Sequence, residues 1–189
     1  MISRIHEIDA ALGLLDRAYS DLTAEGHAAA KPHIGAMIEV PSAAYIISEL
    51  ARRVDFFSTG TNDLTQYLLA VDRGNPLVQG RHDNLHPAVV HFVGDIVQRA
   101  HRQNKPVGVC GEMAGDPASA LLLIGLGVGS LSMTHPACRA SNGPSEALRM
   151  QQARGLADKA LKIDNEADTH RLLNRALKAA GLDALVREN

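Results

Sequence analysis

The sequence contains no tryptophan and only two cysteines, Cys110 and Cys138. Two thiols without metal-type spacing are too few for a disulfide framework or a zinc site, so reduced thiols are expected. Neither sign of charge dominates: Lys+Arg number 19 against Asp+Glu 21, and the longest basic stretch is the pair Arg52-Arg53. This excludes the electrostatic footprint of a nucleic-acid-binding protein and argues against a membrane-surface partner. No apolar run approaches the roughly 18 residues of a membrane span. At the N-terminus, Glu7 and Asp9 stand where a signal peptide would need its apolar core. A cytoplasmic protein is expected. Internal repeats and low-complexity tracts are also missing. What remains is ordinary globular composition, 46% hydrophobic and 21% charged over 189 residues, enough to bury a core.

Apolar residues then fall into an alternating order. Ile5, Ile8, Leu12, Leu15, Ala18 and Leu22 recur at helical spacing between Ser3 and about Glu25, with Gly26 as a stop. His33–Val40 is short, apolar and bounded by Pro32 and Pro41, which predicts a strand buried on both faces. Ser42 is positioned to cap a helix over about Ala43–Arg53, and Val54–Gly60 reads as a second buried strand. A helix over about Pro87–Gln103, a strand at Pro106–Gly111, a helix capped by Asp116 and running to about Leu126, and a short strand at Ser130–Met133 complete the series. Two polar helical segments, about Glu146–Ile163 and Glu166–Ala180, follow. Such alternation implies a parallel sheet. The expected fold is α/β: four parallel strands with helices in a sheet either open or closed into a barrel, where they would fill only half of an eight-stranded TIM-type (β/α) barrel, plus C-terminal helices.

Reactive side chains collect at the strand ends. Glu39 ends the first strand, Thr61-Asn62-Asp63 follow the second, Cys110 ends the third and Ser132 the fourth. In parallel α/β folds these ends share the face that carries the active site. Glu39 and Asp63 lie one βα unit apart, and two hard oxygen ligands with room for water and substrate suit Mg²⁺. Each also has a plain structural role: Glu39 can merely end a strand, and Asp63 can cap a helix over Leu64–Leu69. Glu39 in an apolar run would be costly to bury without a positive partner. Cys110, between Gly108, Gly111 and Gly115, is either close to a ligand or inert packing. Arg73 is either a surface arginine or a bidentate clamp for phosphate or carboxylate. The nine histidines show no ligand spacing; His91 and His101 read as solvated helix residues and His86-Pro87 as a helix start.

Three segments together are not generic: GAMIEVPSAA, VDFFSTGTNDLTQYLLAVDRGN and VCGEMAGDP. They closely resemble the phosphoenolpyruvate-binding domain of enzyme I of the bacterial phosphotransferase system, from the first helix to Met133. LHPAVV and SLSM are more like the nitrogen-branch enzyme I than the sugar-transporting one. The resemblance implies a phosphoenolpyruvate-protein phosphotransferase acting with Mg²⁺ and releasing pyruvate. It implies Glu39 and Asp63 as metal ligands, Asn62, Asp63 and Arg73 as substrate-binding groups, and Cys110 as the acid that protonates C3 of the pyruvate enolate. It further implies a homodimer and an HPr-like phosphocarrier protein as partner through domains not matched here. Neither the accepting histidine's motif nor the family's upstream arginines are found, so residues 1–133 are expected to be a partial barrel. A remnant that binds ligand or pairs with an intact enzyme I is one alternative, and a divalent-metal pyruvate aldolase another.

Residues 134–147 depart from the family, which has a segment resembling Leu-Pro-Arg-Val-Lys-Trp-Ala-Ile-Arg there. One choice of codons for Ala137–Ala147, read in a shifted frame, restores that segment, tryptophan included. Two compensating frameshifts are therefore hypothesised. Codons in the gene that cannot yield that frame would refute this. Residues 148–189 are expected to form a family-like helical tail.

Overall fold

The structure is a computed structural model and describes residues 1–134 and 150–182. Helix α1 (Ile5–Ala24) lays Ile8 into the core. Strand β1 (Gly35–Ile38) follows, then two short helices, α2 (Pro41–Tyr45) and α3 (Ile47–Leu50). One continuous helix is expected there, but Ile46 leaves helical geometry at φ −106°, ψ 21°. Nor does Ser42 cap it: Val40 is the cap and Pro41 the first helical residue, where a missing N–H costs nothing. Strand β2 (Phe56–Gly60) runs directly into α4 (Thr61–Leu69). After α5 (Pro87–Arg102) come β3 (Val107–Cys110), a single turn α6 (Glu112–Gly115), α7 (Pro117–Leu126) and β4 (Ser130–Ser132). Asp116 caps α7 as expected, its carboxylate accepting from the Ser119 N–H at 2.8 Å. The tail contributes α8 (Met150–Ala160) and α9 (Glu166–Ala179). Apart from Thr134, segment 134–147 with its frameshift hypothesis and Cys138 lies outside the described residues.

All four strands are parallel and pair in chain order, β1-β2-β3-β4. This sequential arrangement, with helices between strands, is that of the C-terminal half of a TIM-type barrel. One face of the sheet is fully covered: Ala36, Ile38, Phe57, Val107 and Val109 join a single core with Val89, Val93, Ile96, Val97 and Leu121–Leu123. Helix α7 is apolar all round because α5 covers one side and α8 and α9 others. A methyl group on Gly125 would overlap the Ala153 carbonyl, so that glycine sets how closely α7 and α8 approach.

The opposite face corrects the expectation of strands buried on both sides. Met37 and Phe56 are 39% and 38% exposed, and Ser130 and Ser132 are exposed as well. A cavity of about 740 Å³ lies along this face, lined by Phe56, Ser58, Gly108, Ser130 and neighbours. Four strands do not curl far enough to bury their own concave surface; closure takes about eight.

Candidate active site

Register decides which strand-end residues meet. Gly60 pairs with Cys110 and Cys110 with Ser132. One residue past the end of β1, Glu39 lies beside Gly60, where an added Cβ would sit 3.1 Å from the Glu39 Cβ. Glu39 is 15% exposed, and the α-amino group of Met1 is its cationic neighbour at 3.7 Å.

Helix α4 begins at Thr61, three residues earlier than a cap at Asp63 requires. Gly60 occupies the cap position, so Asn62 and Asp63 lie in the first helical turn and the capping role for Asp63 is excluded. Asp63 instead pairs with Arg73, Oδ1 to guanidinium at 3.1 Å, with 35% and 46% of the two side chains exposed. A carboxylate in a first turn is also favoured by the helix dipole. Arg73 is fixed at its backbone too, its N–H donating to Gln66 Oε1 at 3.2 Å.

Asn62 is held at both ends. Its Oδ1 accepts from the Glu112 N–H at 3.1 Å. Its backbone carbonyl is 3.0 Å from His82 Nε2. A carbonyl only accepts, so Nε2 carries the proton in this contact. With Oδ1 engaged, the Asn62 Nδ2 donors remain for a ligand. Gly111, at φ 119°, makes this turn possible: a Cβ there would be 2.9 Å from Asn62 Oδ1 and 2.8 Å from Thr61 Oγ1. The Thr61 hydroxyl donates to the Cys110 carbonyl at 3.3 Å, tying α4 to the end of β3.

Cys110 is half-buried. Its Sγ accepts from Ser58 Oγ and donates to the Thr59 carbonyl, each at 3.6 Å. Asn62, Cys110, Gly111, Glu112 and Ser132 line one cavity of about 670 Å³, within the roughly 300–1,000 Å³ of small-molecule sites. The structure thus gathers Asn62, Cys110 and Ser132 on one wall and pairs Asp63 with Arg73, while Glu39 stands beside Gly60. Among the described residues, no three His, Cys, Asp or Glu side chains are grouped to hold a metal. By their chemistry Glu39 and Asp63 are hard oxygen donors, the kind a divalent cation takes together with substrate oxygens and water. Sequence reasoning missed Ser58, Glu112 and His82. Ser58 was accessible in principle, two residues before Gly60 on the inward-facing side of β2.

Comparison with known proteins follows the same lines. The family described as PEP-utilising enzyme, PEP-binding domain, matches residues 1–142. The chain belongs to this family. Relatives of the PEP-binding domain include a protein of Salmonella typhimurium named "Phosphoenolpyruvate-dependent phosphotransferase system", 38% identical over 99% of this chain and 25% of its own length. A "Phosphoenolpyruvate-protein phosphotransferase" of Haloferax volcanii is 39% identical over 92% of the chain and 31% of its length. A "Multiphosphoryl transfer protein" of Rhodobacter capsulatus is 41% identical over 91% of the chain and 20% of its length. The chain therefore spans between a fifth and a third of these relatives. No helix among the described residues is long and apolar enough to cross a membrane.

Proposed function

We propose that this PEP-binding domain carries the phosphoenolpyruvate site of an enzyme I-type phosphotransferase of the nitrogen branch. The observation that supports it best is the shared cavity wall of Asn62 and Cys110, an anion-binding amide beside a proton donor. Glu39 and Asp63 would hold Mg²⁺, whose charge, when bound, stabilises negative charge on the phosphate and on the pyruvate oxygens. Arg73 keeps N–H donors beyond the one facing Asp63, and with the Asn62 Nδ2 it holds the phosphate. Positioning and charge neutralisation are what phosphoryl transfer chiefly requires.

The bridging P–O bond breaks, its electron pair stays on the pyruvate enolate, and the phosphoryl group passes to a histidine nitrogen on a separate domain. Cys110 then gives its Sγ proton to C3, and the Ser58 hydroxyl remains as a donor to the sulfur until water reprotonates it. An HPr-like phosphocarrier receives the phosphoryl group next, and the chain associates as a homodimer. Mixing the chain with labelled phosphoenolpyruvate, Mg²⁺ and a separately expressed phosphohistidine domain of a relative tests this: label on histidine is expected. The exposed concave face of the sheet favours a second reading, a chain that binds ligand or pairs with a full-length relative without turnover. Unlabelled histidine in that mixture supports this second reading and contradicts the first.

A further inference from the structure

Just before α5, three consecutive residues bond two other elements, α4 through His82 and Asn84 and α9 through Asp83. His82 Nε2 donates to the Asn62 carbonyl at 3.0 Å. Asp83 Oδ2 is 3.1 Å from His170 Nε2 on α9, while its Oδ1 accepts the Leu85 N–H at 2.7 Å. Asn84 Oδ1 accepts from the Thr65 hydroxyl at 2.8 Å, one turn further along α4. Leu85 then enters the core at 2% exposure. We propose that residues 82–85 are a strap through which the C-terminal helix α9 positions Asn62, with His82 and His170 as its positioning residues. The inference rests on the reading of Asn62 as a phosphate-holding group.

Leu85 anchors the strap in the core, and residues 82–84 work by polar contacts. Beside residues 82–84 lies a cavity of about 320 Å³, walled in part by Asn84, Glu112, Asp116, His170 and Asn174. Both histidine contacts end on pure acceptors, a carbonyl and a carboxylate, so each needs a proton on Nε2 and neither survives loss of that donor. A shift of α9 moves Asp83, and through the neighbouring His82 it moves the carbonyl of Asn62. The Asn62 amide, held at its other end by the Glu112 N–H, then loses its aim. Coupling of this kind is carried by discrete bonds in series, so breaking either one releases the same element.

The test uses the full chain with His82→Leu, His170→Leu, the double variant, and the donor-preserving His82→Gln and His170→Gln. Binding of phosphoenolpyruvate with Mg²⁺ should weaken about fivefold in each leucine variant, the loss expected for one hydrogen bond. The double variant should be no worse than either alone, and the glutamine variants should recover. Amide exchange of Glu112 in the ligand-free protein should quicken in the same variants. Wild-type affinity in His170→Leu, with Asn62→Ala abolishing binding, overturns the strap and leaves the functional reading standing. Should the wild-type chain bind no phosphoenolpyruvate, that reading falls, and Glu112 exchange alone decides: unchanged exchange in both leucine variants overturns the strap.

Discussion

Gly111 is the residue whose replacement the site tolerates least. A side chain there meets both a left-handed φ of 119° and the oxygens of Thr61 and Asn62. Strain of this kind costs about 1–3 kcal/mol, so Gly111→Ala should lower the thermal midpoint by several degrees and, by displacing Asn62, weaken ligand binding further. A midpoint equal to wild type would show that the turn relaxes without cost. At this scale the sequence was informative about which residues matter and less so about what they touch. Strand-end placement brought Glu39, Asp63 and Cys110 to one end of the sheet. The Asp63–Arg73 pair and the Ser58–Cys110 contact depend on where α4 begins and on register between strands some fifty positions apart. Local spacing carries neither. Asp63 was open to a capping role because Thr61, Asn62 and Asp63 are all cap-type residues in a row, while Gly60, which takes the position, has no side chain to announce it.

Helices and strands are tied together at their ends by exposed carboxylates. Arg53 holds Asp9 below the usual range and joins α1 to the turn after α3. The Ile34 N–H does the same for Asp55 at the entrance to β1 and β2. At the start of α9, Asn165 and then Arg171 lower Asp168, and the Ser3 and Arg4 N–H groups lower Glu7 at the start of α1. A carboxylate depressed in the folded state contributes stability above its unfolded value, near 4, and loses it as pH falls through the folded value. The urea midpoint should therefore hold level from neutral pH to about 5 and decline below about 4. A midpoint that rises between those values would contradict these contacts. The element order was legible because the helical and strand periods alternate cleanly. The break at Ile46 and the single turn α6 were not, since both are too short for periodicity to register.

For the whole molecule, the parallel order of four strands followed from the alternation of elements, and the open concave face from their being only half a barrel, although each strand taken alone read as buried on both sides. Whether a sheet buries its inner surface depends on closure, a property of strand number rather than of any strand's composition. That open face places Cys110 and Asn62 beside an accessible cavity, with Ser132 opposite in register. The proposed acid role of Cys110 can be read without any accepting domain, because the same thiol must run in reverse on pyruvate. As the thiolate, the sulfur takes a C3 proton and leaves the enolate; the new thiol exchanges its proton with solvent and returns a deuteron to C3, regenerating the thiolate. The most direct measurement is therefore incorporation of deuterium at C3 of pyruvate in heavy water, with the chain and Mg²⁺, comparing wild type with Cys110→Ala. The wild-type chain should exchange the methyl protons above the protein-free rate, with the variant at least tenfold slower, in line with the loss of one acid–base group. Equal rates for the two proteins, or no exchange by the wild type, would contradict the account.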